Sequence, residues 1–237
     1  WECSNEEEST RYIGELSRFL RESGITIPFT NANDLWAPAH GSVHTWRSQG
    51  QQLSDLRQLR MLQPDAPRLV SSLPLANTAL LTEPSAARSD GLEMQRQIAE
   101  ILAAGSQFVL DHVHGGTNFG FLAGRLAGGA DRFVATAAVD GPLIGEAGIP
   151  TEGLPIIRRI TTFSSSFGHV LSHLDPNFQP VVNTVRVKPG QYSKKNGHVS
   201  SVVTQTGGSG TVVFAFADGL KAKSKLLLPD GVEIPID

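Results

Sequence analysis

The feature that most limits the fold of this chain is its periodicity. From residue 1 to about residue 175, short apolar runs of strand type alternate with longer runs of helical spacing. The helical runs begin with Glu6 to Ser23, where Tyr12, Ile13, Leu16, Phe19 and Leu20 recur on one face. A second is marked by Leu53, Leu56, Leu59 and Leu62 and ends at Pro64-Asp65-Ala66-Pro67. A third covers Ala87 to Ala104, with Met94, Ile98, Ile101 and Leu102 on one face and Gly105 after it. A fourth opens at Pro155 and carries Ile156, Ile157, Ile160, Phe163, Phe167, Val170, Leu171 and Leu174. Between them, Ile25–Thr30, Gly41–Trp46, Arg68–Ser71 and Gln107–Val113 read as strands, and Gly115–Gly129 as a long Gly-rich loop. Alternation of this kind predicts a parallel sheet or barrel with helices outside, an α/β fold.

The pattern changes near Asp175-Pro176 and Gln179-Pro180. Beyond this boundary, Val181–Val187, Val199–Thr204, Val212–Ala217, Lys223–Leu228 and Val232–Ile236 read as strands. Turn signals separate them: Pro189-Gly190, Asn196-Gly197, Gly207-Gly208-Ser209-Gly210, Asp218-Gly219 and Asp230-Gly231. The expected organisation is an α/β domain over residues 1–177 and a small antiparallel β domain over 178–237.

Charge and composition narrow the function classes. The 20 Lys and Arg against 23 Asp and Glu leave a net charge of −3, so no basic excess points to nucleic acid or an anionic membrane. No run of about 18 apolar residues exists to span a bilayer. The opening Trp1-Glu2-Cys3-Ser4-Asn5, followed by Glu6-Glu7-Glu8, has neither the basic nor the apolar region of a signal peptide. Ser4 and Glu7 have capping-box spacing, and the Glu run reads as the acidic first turn of a helix. Cys3 is the sole cysteine, which excludes an internal disulfide and a cysteine-rich zinc site and leaves the compartment open.

The residues most suggestive of chemistry run from Asp111-His112-Val113-His114 into Gly115-Gly116-Thr117-Asn118. A strand there feeds a Gly-rich loop at its carboxyl end, where parallel barrels and open α/β sheets bind ligands. Strand alternation sets His112 and His114 on one face, but two histidines are too few for a closed zinc site, and no metal or cofactor is expected. No Gly-Lys-Ser/Thr closes a phosphate loop, and no Gly-x-Ser-x-Gly elbow is present. Asn31, Asn33 and Trp36 follow another strand. Amides that bond hydroxyls and an indole that stacks on a pyranose suit a sugar; an Asx turn with a core Trp is the plainer alternative.

Taken together, these segments resemble glycoside hydrolase family 35, the β-galactosidases. His114-Gly-Gly-Thr-Asn-Phe-Gly-Phe121 is similar to the family's GGTNFG signature on the last barrel strand. Asp140-Gly-Pro-Leu-Ile-Gly-Glu-Ala-Gly148 looks like its DAPLSEAG stretch. Trp1-Glu-Cys-Ser-Asn5, with Ile27-Pro28 and Asn33-Asp34-Leu35-Trp36, resembles the region after its ENE(Y/W) motif, and Gln63-Pro-Asp-Ala-Pro-Arg-Leu-Val70 the lead-in to its nucleophile strand. The resemblance covers about residues 1–180, and reaches more weakly into Leu226–Ile236. It implies the C-terminal half of a (β/α)8 barrel followed by the start of a trailing β module. In the family, two glutamates roughly 5–5.5 Å apart carry out retaining hydrolysis.

This chain departs from that pattern at the chemistry. Trp1 matches the residue after the acid/base Glu, which would therefore precede it. The LVTEFW pattern reads Leu69-Val-Ser-Ser-Leu-Pro74, so Ser72 stands at the nucleophile position. The tyrosine before GGTNFG falls at Asp111, the TSYDYD segment reads Ala135-Thr-Ala-Ala-Val-Asp140, and Ile144-Gly145 replaces a single Ser. No catalytic residue is retained, and Asn31, Asn33, Trp36, Asp111, His114 and Asn118 are the expected substrate-binding set. A β-galactosidase-like glycoside hydrolase lineage of carbohydrate metabolism, inactive as given, is the expectation: a pseudoenzyme or fragment. A non-catalytic carbohydrate-binding or interaction protein on the same scaffold is the alternative. A hydrolase using Asp111, His112 or Ser72 is a third, although no spacing fixes a Ser–His–Asp geometry. Four strands make half of a barrel that needs about 200–250 residues. The expected partners are a β-galactoside or related glycan, and either an N-terminal half-barrel or a second copy.

Overall fold

A computed structural model describes residues 6–32, 41–47, 52–81, 91–120, 122–126, 128, 132–141, 143–177, 183–186, 198–208, 210–218, 224–227 and 231–236. The chain forms two compact units, one of residues 1–101 and 106–162, the other of residues 102–105 and 163–237.

The first unit begins with helix α1, Glu6–Glu22. It ends in a Schellman-type cap: the Ile25 N–H donates to Leu20 O and the Gly24 N–H to Arg21 O, with Gly24 at φ +86°. Strand β1 is Phe29–Asn31, later than the Ile25–Thr30 expected. The Arg21 guanidinium explains the delay, because its Nη1 donates to the carbonyls of both Ile25 and Ile27 at 2.9 Å. It also lies 3.9 Å from the centre of the Phe29 ring. Pro28, which has no N–H, gives the ladder nothing to start from.

Strand β2, Ser42–His44, pairs in parallel with β1, and Thr45 passes the chain into β3, Trp46–Arg47. Helix α2, Gln52–Leu62, buries Leu56 and Leu59. Strand β4, Leu69–Pro74, is parallel to β3. Strand β5, Asn77–Leu80, comes next, then helix α3, Gly91–Ala103, with Met94, Ile98 and Ile101 buried. Strand β6, Gln107–Asp111, lies parallel to β4 on the side away from β3. The parallel strands thus follow one another in chain order. Among the described residues the array does not close into a barrel: β1 pairs only with β2, and β6 only with β4.

Two strands of the first unit were not expected. β5 pairs antiparallel with β7, Val134–Asp140, whose small residues conceal any alternation of large apolar groups. The Gly-rich segment is also more than a loop. It runs along β7 through bridges Thr117↔Ala137 and Arg125↔Phe133, and the Val134 N–H donates to Gly124 O. Helix α4, Gly153–Leu171, starts two residues before Pro155, with the Leu154 N–H donating to Thr151 O.

In the second unit, Asp175–Asn177 is not a mere boundary but strand β8. The strands β9 (Asn183–Arg186), β10 (His198–Gly207), β11 (Gly210–Asp218), β12 (Ser224–Leu227) and β13 (Glu233–Ile236) fall where the turn signals set them. They form two antiparallel sheets, β11-β10-β8 and β13-β12-β9. Val203, Phe216 and Leu174 are buried in this unit. The fully buried Gln205 amide donates to Leu102 O and Ala103 O, satisfying carbonyls at the end of α3. The molecule is therefore a mixed α/β protein with parallel sheets and small antiparallel β sheets.

Candidate functional site

The site is built on a fault in β4. Trp46 pairs with Val70, but the next residue of β3, Arg47, pairs with Ser72. On the other side Val70 pairs with Phe108, and Leu73 with Leu110. β4 thus carries one residue more than either neighbour at Ser71-Ser72, a bulge shared by both ladders. Bulges re-aim side chains next to functional sites. Here the two hydroxyls go separate ways. Ser71 Oγ accepts from Thr45 Oγ1 at 2.9 Å and approaches Trp46 O at 3.4 Å. Ser72 Oγ donates to Asp111 Oδ2.

Asp111 is the last residue of β6, Asn31 the last of β1, and Ser72 sits in the second half of β4. All three belong to the carboxyl ends of parallel strands. The structure joins Ser72 to Asp111 directly, both half-buried. Asn31 stands further along the array, paired with His44, and its carbonyl accepts from the Thr45 N–H at 2.8 Å. Asn31 Nδ2 and Trp46 Nε1 are buried donors with no hydrogen-bond partner among the described residues. A buried donor left unmade is costly, so both positions favour an acceptor from a ligand.

The segment after β6 corrects the sequence reading. The strand ends at Asp111 rather than Val113, because His112 adopts φ +59°, the sole positive φ outside glycine among the described residues. This left-handed step interrupts the two-residue period, so His112 and His114 do not share a strand face. His114 is exposed, and its Nδ1 accepts the Gly116 N–H at 2.9 Å. The ring proton of neutral His114 therefore resides on Nε2, which remains a donor. Asn118 pins the Gly-rich segment to β7: its backbone N–H donates to Thr136 O at 2.7 Å and its Nδ2 to Ala135 O at 3.1 Å. Asn118 keeps its Oδ1 as acceptor and the second N–H of Nδ2 as donor for a sugar. Asn33, Trp36 and Trp1 lie outside the described residues. No group of three or more His, Cys, Asp or Glu positioned to hold a metal occurs among the described residues.

Thr45, Ser71 and Trp46 escape the sequence reading, although the Ser71-Ser72 doublet inside an apolar strand is a signal that could have drawn attention to them. His44, buried beside them in chain order, is held below its ordinary pKa by desolvation and is neutral at pH 7.

Chemically, Ser72 lacks the serine–histidine pairing of an activated nucleophile: among the described residues no imidazole bonds it, and its hydroxyl donates to Asp111. A carboxylate and a hydroxyl side by side can bond adjacent hydroxyls of a sugar, the carboxylate as acceptor and the serine in either role. Comparison of the chain with protein-family models finds no match, and comparison with curated proteins finds none either.

Proposed function

We propose that this chain is a β-galactosidase-like glycoside hydrolase scaffold that holds a β-galactoside or related glycan without hydrolysing it. In this reading the parallel array corresponds to the C-terminal half of a (β/α)8 barrel, and the strands beyond residue 178 to the start of a trailing β module. The observation that carries the reading is the Ser72–Asp111 hydrogen bond at the carboxyl ends of neighbouring parallel strands. The residue in the nucleophile position is thereby a sugar-facing polar group rather than a carboxylate. Retaining hydrolysis needs two carboxylates, one attacking the anomeric carbon and one protonating the leaving oxygen. Serine cannot form the acylal-type glycosyl ester, and Asp111 alone supplies one of the two groups. Asn31, Asp111, His114 and Asn118 are the proposed sugar contacts, with Asn33 and Trp36 retained on the resemblance. No cofactor enters this chemistry.

The test is release of nitrophenol from an aryl β-galactoside by the purified chain. No release above the buffer blank is expected, because general acid catalysis alone typically contributes about 10²–10⁴-fold. Release abolished by Asp111→Asn would overturn the proposal.

An interaction role on the same scaffold is supported by a different observation. β1 and β6 each keep one open edge among the described residues, and Ile27 and Val109 are exposed near them. Open edges recruit strands. A half-barrel partner or a second copy fits this reading, and size-exclusion chromatography with light scattering tests it. A stable 25.4 kDa monomer would remove it.

A further inference from the structure

We propose that His169 and His173 form a two-histidine site for a divalent transition-metal ion of the zinc, nickel or copper type, independent of the glycan reading. His169 occupies the last turn of α4, and His173 follows in the turn that leaves it, its N–H donating to Val170 O. The two rings are exposed, with centroids 4.8 Å apart and planes at 42°. Two imidazoles on one ion at about 2.0–2.1 Å, with roughly 90–110° between them, set their ring centres about 4.5–5.1 Å apart. The observed separation falls inside that window.

The proton positions also suit a ligand. His173 Nδ1 lies 2.7 Å from His169 O. A carbonyl has no proton to give, so Nδ1 is the donor and Nε2 carries the lone pair. Histidines that bind metal characteristically donate their other N–H to a backbone carbonyl or carboxylate, which fixes tautomer and ring orientation. Ser172 Oγ donates to the same carbonyl at 2.8 Å and braces the turn. The site stands at the carbonyl end of a long helix, where the backbone dipole favours positive charge. With two imidazoles as its protein ligands, water completes the coordination. Imidazole selects copper, nickel and zinc over magnesium and calcium, which take oxygen ligands.

The experiment is calorimetric titration of the full chain with nickel, zinc and copper chlorides in a non-chelating buffer, with magnesium chloride as the control. One equivalent of each transition metal is expected to bind, tightest for copper, and magnesium none. His169→Gln and His173→Gln should each weaken binding by at least about tenfold, whereas His112→Asn, at an exposed histidine outside the site, should leave it unchanged. Because both rings are exposed, these variants keep the fold, which circular dichroism checks. Paramagnetic copper should broaden the ring protons of His169 and His173 first. Absence of binding, equal binding by the His169→Gln/His173→Gln double variant, or broadening confined to other histidines would overturn the proposal.

Discussion

Helices α1 and α3 show the same apolar periodicity and meet opposite fates. In α3, Met94, Ile98 and Ile101 turn inward, and Ile98 is 0% exposed. In α1, Tyr12, Leu16 and Phe19 fall on one face at the same spacing, yet Phe19 is 57% exposed. Contacts along α1 include local ones, exposed ion pairs of Arg18 with Glu15 and Glu22 that add little stability, and the Schellman cap at Gly24. Spacing specifies which face of a helix is apolar, and only the neighbouring elements decide whether that face is buried. Where a helix connects two strands of the parallel array, as α3 and α2 do, the face finds a core.

Paired truncation of the two helices should give the largest difference. Ile98→Ala should cost about 2–5 kcal/mol in denaturant unfolding, because transfer and cavity terms add in a closed core. Phe19→Ala should change stability by no more than about 0.5 kcal/mol, as for an ordinary surface site. Equal losses would mean that α1 packs on something in solution.

A second prediction moves the contrast to polar groups. Gln205→Ala removes the donor from two carbonyls at the end of α3 and should cost about 1–3 kcal/mol. Arg18→Ala, which breaks two exposed ion pairs, should produce no measurable change in thermal midpoint.

The buried His44 should make stability depend on pH. Desolvation holds His44 below its unfolded value of about 6.5, so between the two values the unfolded chain binds the extra proton. Its contribution is therefore intact above about pH 6.5 and lost as the pH falls toward the folded value. The slope from this one group is at most about 1.4 kcal/mol per pH unit. Urea unfolding of the parent and of His44→Gln across pH 5 to 8, a range of about one unit or more either side of the imidazole value, should diverge only on the acid side. Parallel curves would contradict the assignment.

Legibility followed the same division between local and distant causes. The C-terminal strands are bounded by Gly, Pro and Asn turns, signals that act within a few residues, and β9 to β13 lie where those turns put them. Helix α1 is written in its own spacing and ended by Gly24. By contrast, the start of β1 depends on a guanidinium reaching from α1, and the β5–β7 pair joins segments more than fifty residues apart through residues as small as Ala135 and Ala137. The placement of Ser72, Asp111 and Asn31 toward the carboxyl ends of parallel strands was legible because strand ends are. The Thr45–Ser71 link was not, since it exists only through a bulge that depends on the register of three strands. The turn at His112 was equally hidden, because nothing in its neighbours requires a left-handed residue.

The proposed role of the Ser72–Asp111 pair, a sugar contact without hydrolytic power, can be measured by saturation-transfer NMR with a non-hydrolysable β-galactoside. Transfer to the sugar ring protons is expected, reduced at least severalfold by Asp111→Ala and by Ser72→Ala and unaffected by Phe19→Ala. Undiminished transfer in the Asp111→Ala/Ser72→Ala double variant, or none with the parent chain across a panel of β-galactosides, would contradict it.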